Sequence, residues 1–240
     1  MTPISPVDRA CLYIREQVEG GIVLPGQRLS RRTLAQTMGV SEAVILKAFA
    51  QLERDGMIES RSRSGTYVRE VGIEEYVHLC NVRELIEPYA AACAAELITE
   101  EQLEILQRSC QRYQQLCDSL PLPMNATTAW LQRCQAVQEE LLFHNTILKA
   151  AGNPLLEQCA SMLRLINQVK PEILFSDGTS KGISMFITVY EHEGITQALA
   201  DHDAPLAQER MLHHLRGARI PLDPAHALKV SGMGSVNVSD

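Results

Sequence analysis

The chain has 240 residues, 45% of them hydrophobic and 21% charged, with a formal net charge of −7; this is an ordinary globular profile, long enough for one large domain or two small ones. No apolar run approaches the roughly 20 residues that a membrane-crossing helix needs, and Asp8, Arg9, Arg15 and Glu16 stand where a signal peptide requires an apolar stretch, which argues against a membrane-spanning or secreted chain. The charge is uneven, with ten Lys/Arg against eight Asp/Glu in residues 1–70 and twelve against twenty-one in residues 71–240, so only the first part approaches a phosphate backbone on favourable terms.

Residues 8–19 form a predicted amphipathic helix with Leu12, Ile14 and Val18 near one face, stopped by Gly20-Gly21. Pro25-Gly26 marks a turn. Ser30 caps a helix over 31–38 whose Leu34 and Ala35 turn inward, and Gly39 ends it. Ser41 then caps a helix that carries Val44, Ile45, Ala48, Phe49 and Leu52 at helical spacing until Gly56. Two short strands over 57–61 and 66–69 enclose Ser62-Arg63-Ser64-Gly65. From Ile73 onward the pattern is helical, over about 74–97, 99–117, 130–151, 154–170, 181–200 and 203–217. Thr99 caps one of these helices, and Pro88 predicts a kink inside the first.

The expected fold is therefore mainly α. Residues 1–70 make a winged helix-turn-helix with a small β-hairpin wing, residues 71–220 an all-α bundle of about six helices, and residues 221–240 a flexible tail rich in Gly, Ser, Val and Asn. The seven cysteines, Cys11, Cys80, Cys93, Cys110, Cys117, Cys134 and Cys159, are dispersed among apolar helical positions with no CxxC pair. That usage predicts reduced thiols and a cytoplasmic protein.

A helix, a glycine turn and a second helix with outward N-terminal residues is the geometry that seats one helix in a major groove, with the hairpin lying along a neighbouring groove. The run Pro25-Gly26-Gln27-Arg28-Leu29-Ser30, then Leu34-Ala35, Gly39-Val40-Ser41, Leu52-Glu53-Arg54-Asp55-Gly56-Met57-Ile58 and Gly65-Thr66-Tyr67-Val68, resembles the GntR family DNA-binding domain over about residues 8–69. The resemblance implies double-stranded operator DNA as the partner; the expected reading is a homodimer contacting it through Arg31, Arg32, Ser41, Glu42, Ala43, Lys47, Arg63 and Gly65, with Arg31, Lys47, Arg61 and Arg63 taking over backbone contacts. Arg32 falls on a family arginine that touches DNA. Glu42 and Leu46, however, replace two arginines that the family usually carries on the recognition helix. A carboxylate at Glu42 repels phosphate but accepts from a cytosine amino group, which predicts an unusual operator or weak binding. A winged helix that only holds proteins together is the alternative.

In the second part, Glu140 and His144 stand four apart on one helix face, with Val137, Leu141 and Leu148 near it. His192 is in phase with Val189, Ile195 and Leu199, and His214 with Ala207 and Met211. Three imidazoles and one carboxylate thus project inward from three helices, and a carboxylate in an apolar interior needs a partner or a cation. Taken singly, each histidine fits a hydrogen-bonded core residue as well as a ligand. Val82-Arg83-Glu84-Leu85-Ile86-Glu87-Pro88, Phe143-His144, Ala151-Gly152-Asn153-Pro154-Leu155, Glu191-His192 and Met211-Leu212-His213-His214-Leu215 resemble the FCD effector domain of the FadR subfamily over roughly 73–217, in its VanR-like branch.

That resemblance implies a divalent metal held by Glu140, His144, His192 and His214, with glutamate in place of the family's aspartate. Zn, Ni, Mn and Fe all suit such ligands. It also implies that Arg83 pairs with a small carboxylate effector, the alternative being an ion pair with Glu87 four residues on. The expected function is a DNA-binding transcriptional regulator and repressor, not an enzyme, whose operator binding responds to an organic acid. A metal-dependent hydrolase in a helical bundle and a structural DNA-bound dimer without a ligand are the rival readings.

Overall fold

A computed structural model describes residues 4–119, 126–163, 165, 168 and 181–219. The chain opens with α1 (Pro6–Glu19), whose N-cap Ser5 accepts a hydrogen bond from the Asp8 amide. Its buried side is Ala10, Cys11, Ile14 and Val18, while Leu12 is 48% exposed. The expected inward position of Leu12 is corrected by helical geometry: at about 100° per residue, two positions separate Leu12 from Ile14 by more than half a turn.

The two-residue strand β1 (Arg28–Leu29) was not expected, being too short to carry a period. It precedes α2 (Arg31–Met38) and α3 (Glu42–Arg54). The Ser30 hydroxyl accepts from the Thr33 amide and the Ser41 hydroxyl from the Val44 amide, each satisfying one otherwise unpaired donor of its helix. Gly39 takes φ 63° and ψ 34° between them, a left-handed cap that suits glycine. The hairpin follows as β2 (Ile58–Arg61) and β3 (Gly65–Val68). β3 is the central strand of a three-stranded antiparallel sheet, pairing Ile58 with Val68 on one side and Leu29 with Thr66 on the other. The wing is thus a sheet rather than a bare hairpin. Ile14, Ile45, Leu52 and Ile58 form the centre of this head.

The helical part consists of α4 (Ile73–Leu97), α5 (Glu100–Asp118), α6 (Ala126–Ala150), α7 (Pro154–Leu163), α8 (Lys181–Ala200) and α9 (Ala204–Gly217). α4 continues through Pro88. Thr99 and Gln102 close a reciprocal capping box at the start of α5, and the Asp203 carboxylate accepts from the Leu206 amide at the start of α9. α6 begins before the expected residue 130, and α7 ends before the expected residue 170. The expected tail from Pro221 lies outside the described residues. Ala91, Ala94 and Ala95 on α4, with Ala198 and Ala207 opposite, are fully buried and let the helices approach closely around Leu106, Phe143, Ile147, Ile195, Leu199 and Met211. Among the described residues no helix is long and apolar enough to cross a membrane.

Among the described residues, head and bundle meet at several places, the Arg69–Glu75 ion pair and two others among them. The Val71 amide donates to the Gln168 carbonyl at 2.9 Å, and Gln168 Nε2 donates to the Met57 carbonyl at 3.2 Å, so this residue clasps the base of the wing. At another place, Gly20 at the end of α1 lies against the side chain of Gln138 on α6.

Truncating the fully buried Leu106 to Ala is expected to cost about 2–5 kcal/mol in chemical denaturation. The same change at Leu46, which is 54% exposed on α3, is expected to stay within about 0.5 kcal/mol.

Candidate functional site

α6 places Glu140 and His144 one turn apart, α8 supplies His192 and α9 supplies His214. One ligand atom from each of these four residues lies within 4.8 Å of the other three. His214 Nε2 is the hub, 3.3 Å from His192 Nε2 and 3.3 Å from His144 Nε2. The Glu140 carboxylate reaches His144 Nε2 at 3.3 Å, His192 Nε2 at 3.6 Å and His214 Nε2 at 4.0 Å. Imidazole nitrogens about 2.0–2.1 Å from one ion at tetrahedral angles stand about 3.3 Å apart. The spacing of the rings fits a metal.

The three imidazoles are buried and Glu140 keeps about a quarter of its side-chain surface, so the cluster opens on the carboxylate side. Burial by itself would raise the Glu140 carboxyl, but His192, His144 and His214 hold it well below the usual carboxylate range. Burial pushes His192 well below the ordinary imidazole value, with the attraction of Glu140 only partly opposing it. For His144 burial also acts downward, yet the facing Glu87 and Glu140 carboxylates leave its value raised. The cluster therefore calls for positive charge at its centre. A proton on His144 meets part of that demand and a divalent cation meets it more fully.

His213, passed over in the sequence, turns outward at 78% exposure. Arg83 does not stand free: its Nε and Nη2 grip the two oxygens of Glu87 at 2.5 and 3.3 Å. Glu87 is only 2% exposed, so the pair is buried rather than the surface bridge that the spacing suggested. Burial would raise the Glu87 carboxyl, but Arg83 and His144 hold it far down. Its second oxygen lies 2.6 Å from His144 Nδ1, off the line of an aligned hydrogen bond. Glu191 accepts at 2.9 Å from His214 Nδ1. Sequence reasoning missed both carboxylates as partners of the histidines. The available signals were the i, i+4 spacing from Arg83 to Glu87 and the adjacency of Glu191 to His192.

On the head, Ser41, Glu42, Ala43, Leu46 and Lys47 line an open face of α3, opposite the buried Ile45, Ala48, Phe49 and Leu52. Arg32 is exposed at the start of α2. Arg31 donates to Glu42 at 2.8 Å, so these two expected contact residues are paired across the helix-turn-helix. At the wing tip Arg63 has φ 59° and Gly65 φ 125°. A Cβ on Gly65 would stand 2.9 Å from Arg28 Nε, which brings Arg28, not singled out in the sequence, to the wing. Arg61 lies over the Tyr67 ring at 4.4 Å and pairs with Glu59.

Residues 6–68 match the family described as bacterial regulatory proteins, gntR family, and residues 78–217 match the FCD domain. The HTH-type transcriptional regulator LutR of Bacillus subtilis (strain 168) is 28% identical over 215 residues, spanning 82% of this chain and 92% of LutR. A probable D-xylose utilization operon transcriptional repressor of Paenarthrobacter nicotinovorans is 24% identical over 204 residues, spanning 85% of this chain and 82% of that protein. Among solved structures, E. coli McbR/YncC superposes with a TM-score of 0.72 at 17% identity, covering 97% of this chain and all of that one, a likeness of fold.

Replacing Arg83 by Ala strands the buried Glu87 carboxylate and is expected to cost about 3–5 kcal/mol in denaturant melts. Arg108→Ala removes the exposed pair with Glu104 and is expected to cost less than about 1 kcal/mol.

Proposed function

The chain belongs to the gntR family of bacterial regulatory proteins and carries an FCD domain, which makes it a DNA-binding transcriptional regulator rather than an enzyme, and on that footing we propose that it is a homodimeric repressor whose grip on its operator is set by a small organic acid bound beside a divalent metal. One observation carries this reading: Glu140, His144, His192 and His214 converge from three helices inside a bundle that is joined to a head with an open recognition helix.

Glu140, His144, His192 and His214 would hold the ion. When bound, it supplies positive charge and open coordination positions to an anionic effector. Arg83 contributes a further donor, since Nε and Nη2 are taken by Glu87 and Nη1 remains for an effector carboxylate. Both α6 and the clasp at Gln168 connect this region to the head, and the effector acts by preferring one placement of the two heads over the other. The relative named as a probable repressor supports the sign of the regulation.

On the DNA side, two α3 helices related by a two-fold axis would read half-sites in successive major grooves. The Arg31–Glu42 pair withholds one cation from the phosphates and adds a carboxylate near them, in a head whose surplus of positive charge is small. Specificity then rests more on base edges and wing contacts than on charge.

The test is to select bound sites from random duplexes with the full-length protein, then screen organic acids for release of the selected site. Sites recovered with two-fold symmetry and released by at least one acid are the expected result. An absence of selectable sites would defeat the repressor reading.

Two further outcomes follow from the geometry. Stripping the protein with a chelator is expected to lower its melting temperature, and returning Zn²⁺ or Ni²⁺ at about 100 times its Kd should restore about 2.7 kcal/mol. His192→Ala is expected to abolish that recovery. Glu42→Gln is expected to tighten binding to non-specific duplex and to steepen its dependence on salt, because Arg31 is freed for a phosphate; fluorescence anisotropy at several salt concentrations measures both.

A further inference from the structure

Each of the three imidazoles at the cluster is braced by a residue from a different helix. His144 on α6 is met by Glu87 from α4, with Nδ1 2.6 Å from the carboxylate. His214 on α9 is met by Glu191 from α8, with Nδ1 2.9 Å from the carboxylate. His192 on α8 stacks on Phe143 from α6, with ring centroids 3.8 Å apart and planes 2° from parallel. The rings are cross-braced rather than held by their own helices.

We propose that Glu191 and Glu87 are positioning residues for the metal centre, the first acting through His214 and the second through His144. The inference rests on the reading that the cluster binds a divalent ion. The His214 Nδ1–H held by Glu191 leaves the ring's lone pair on Nε2, and Glu87 lies against His144 Nδ1 at 2.6 Å; in both rings Nε2 is the atom turned into the cluster. The carboxylate also raises the basicity of the ring as a ligand and fixes its orientation.

Local structure supports this assignment for Glu191. It immediately precedes His192, and successive helical residues point about 100° apart, so α8 sends His192 into the core and turns Glu191 toward α9. There the carboxylate comes to lie beside Gly217, at ordinary van der Waals range of where a Cβ would stand. The other face of the same carboxylate lies 3.2 Å from the exposed His213, which is a bystander. Glu87 is held in place by Arg83, and that bidentate grip aims its second oxygen at His144. Arg83 thus serves the centre through Glu87, whatever it does for an effector.

The test uses full-length protein stripped of metal and titrated with Zn²⁺ against a chromophoric chelator, and with Co²⁺ to read its visible d–d bands. Wild type is expected to take up one ion per chain. Glu191→Gln and Glu191→Leu are expected to weaken Zn²⁺ by about 10–100-fold and to shift the Co²⁺ bands, while the melting temperature of the metal-free protein stays close to wild type. His213→Ala is expected to bind as wild type does. For Glu87, which is fully buried, the double variant Arg83→Gln/Glu87→Gln avoids a stranded charge and is expected to show the same loss. Wild-type Zn²⁺ affinity and unchanged Co²⁺ bands in both Glu191 variants would overturn the positioning role. A wild-type protein that takes up no ion would instead overturn the metal reading beneath it.

Discussion

A carboxylate among three imidazoles inside a helical bundle is the constraint around which the second part of this chain is organised. His192 and His214, which α8 and α9 deliver to the face of α6 that already carries His144, help hold the Glu140 carboxyl well below the usual carboxylate range. Polar groups in such a place destabilise a fold unless every one of them has a partner. The packing supplies those partners in layers. The small residues of α4, Ala91, Ala94 and Ala95, bring the helices close, and the outer carboxylates Glu87 and Glu191 occupy the far sides of the rings. Of these outer carboxylates, Glu87 is compensated in turn by Arg83. On the α4 side charge alternates outward from the centre, from His144 to Glu87 to Arg83.

The head shows the opposite economy, because its functional face is open and its chemistry is unburied. Here the local rules of helix capping decide the geometry. Ser30 and Ser41 set where α2 and α3 begin, and Gly39 sets the angle between them. The amount of positive charge left for a nucleic acid is small, and the Arg31–Glu42 pair reduces it further.

The legibility of these features in the sequence follows the range of the interactions that create them. The caps at Ser30, Ser41 and Thr99, the helix end at Gly39 and the inward phase of Glu140, His144, His192 and His214 are local or periodic, and they could be read directly. The strand β1 was missed because two residues define no alternation and its partner β3 is far along the chain. Leu12 was misplaced because apolar character was allowed to outweigh helical phase. The roles of Glu87 and Glu191 were hidden for a different reason. Each lies on a helix different from the histidine it serves, and no spacing within one helix encodes a contact between two. The proximity of Arg83 and Glu87 was legible, but its burial was set by helices folded against it from elsewhere.

The contact of Gly20 with Gln138 joins these two regimes. Gln138 lies two residues before Glu140 on α6, and a Cβ at Gly20 would come within 3.0 Å of its Nε2 and 2.8 Å of the Glu16 carbonyl. The strut that carries two of the four inward groups is also the shelf on which the first helix of the head comes to rest. Head and bundle therefore meet here directly as well as through the chain between them. Any side chain at residue 20 would press on Gln138 and on the Glu16 carbonyl, so the glycine sets how closely the first helix of the head can sit on α6.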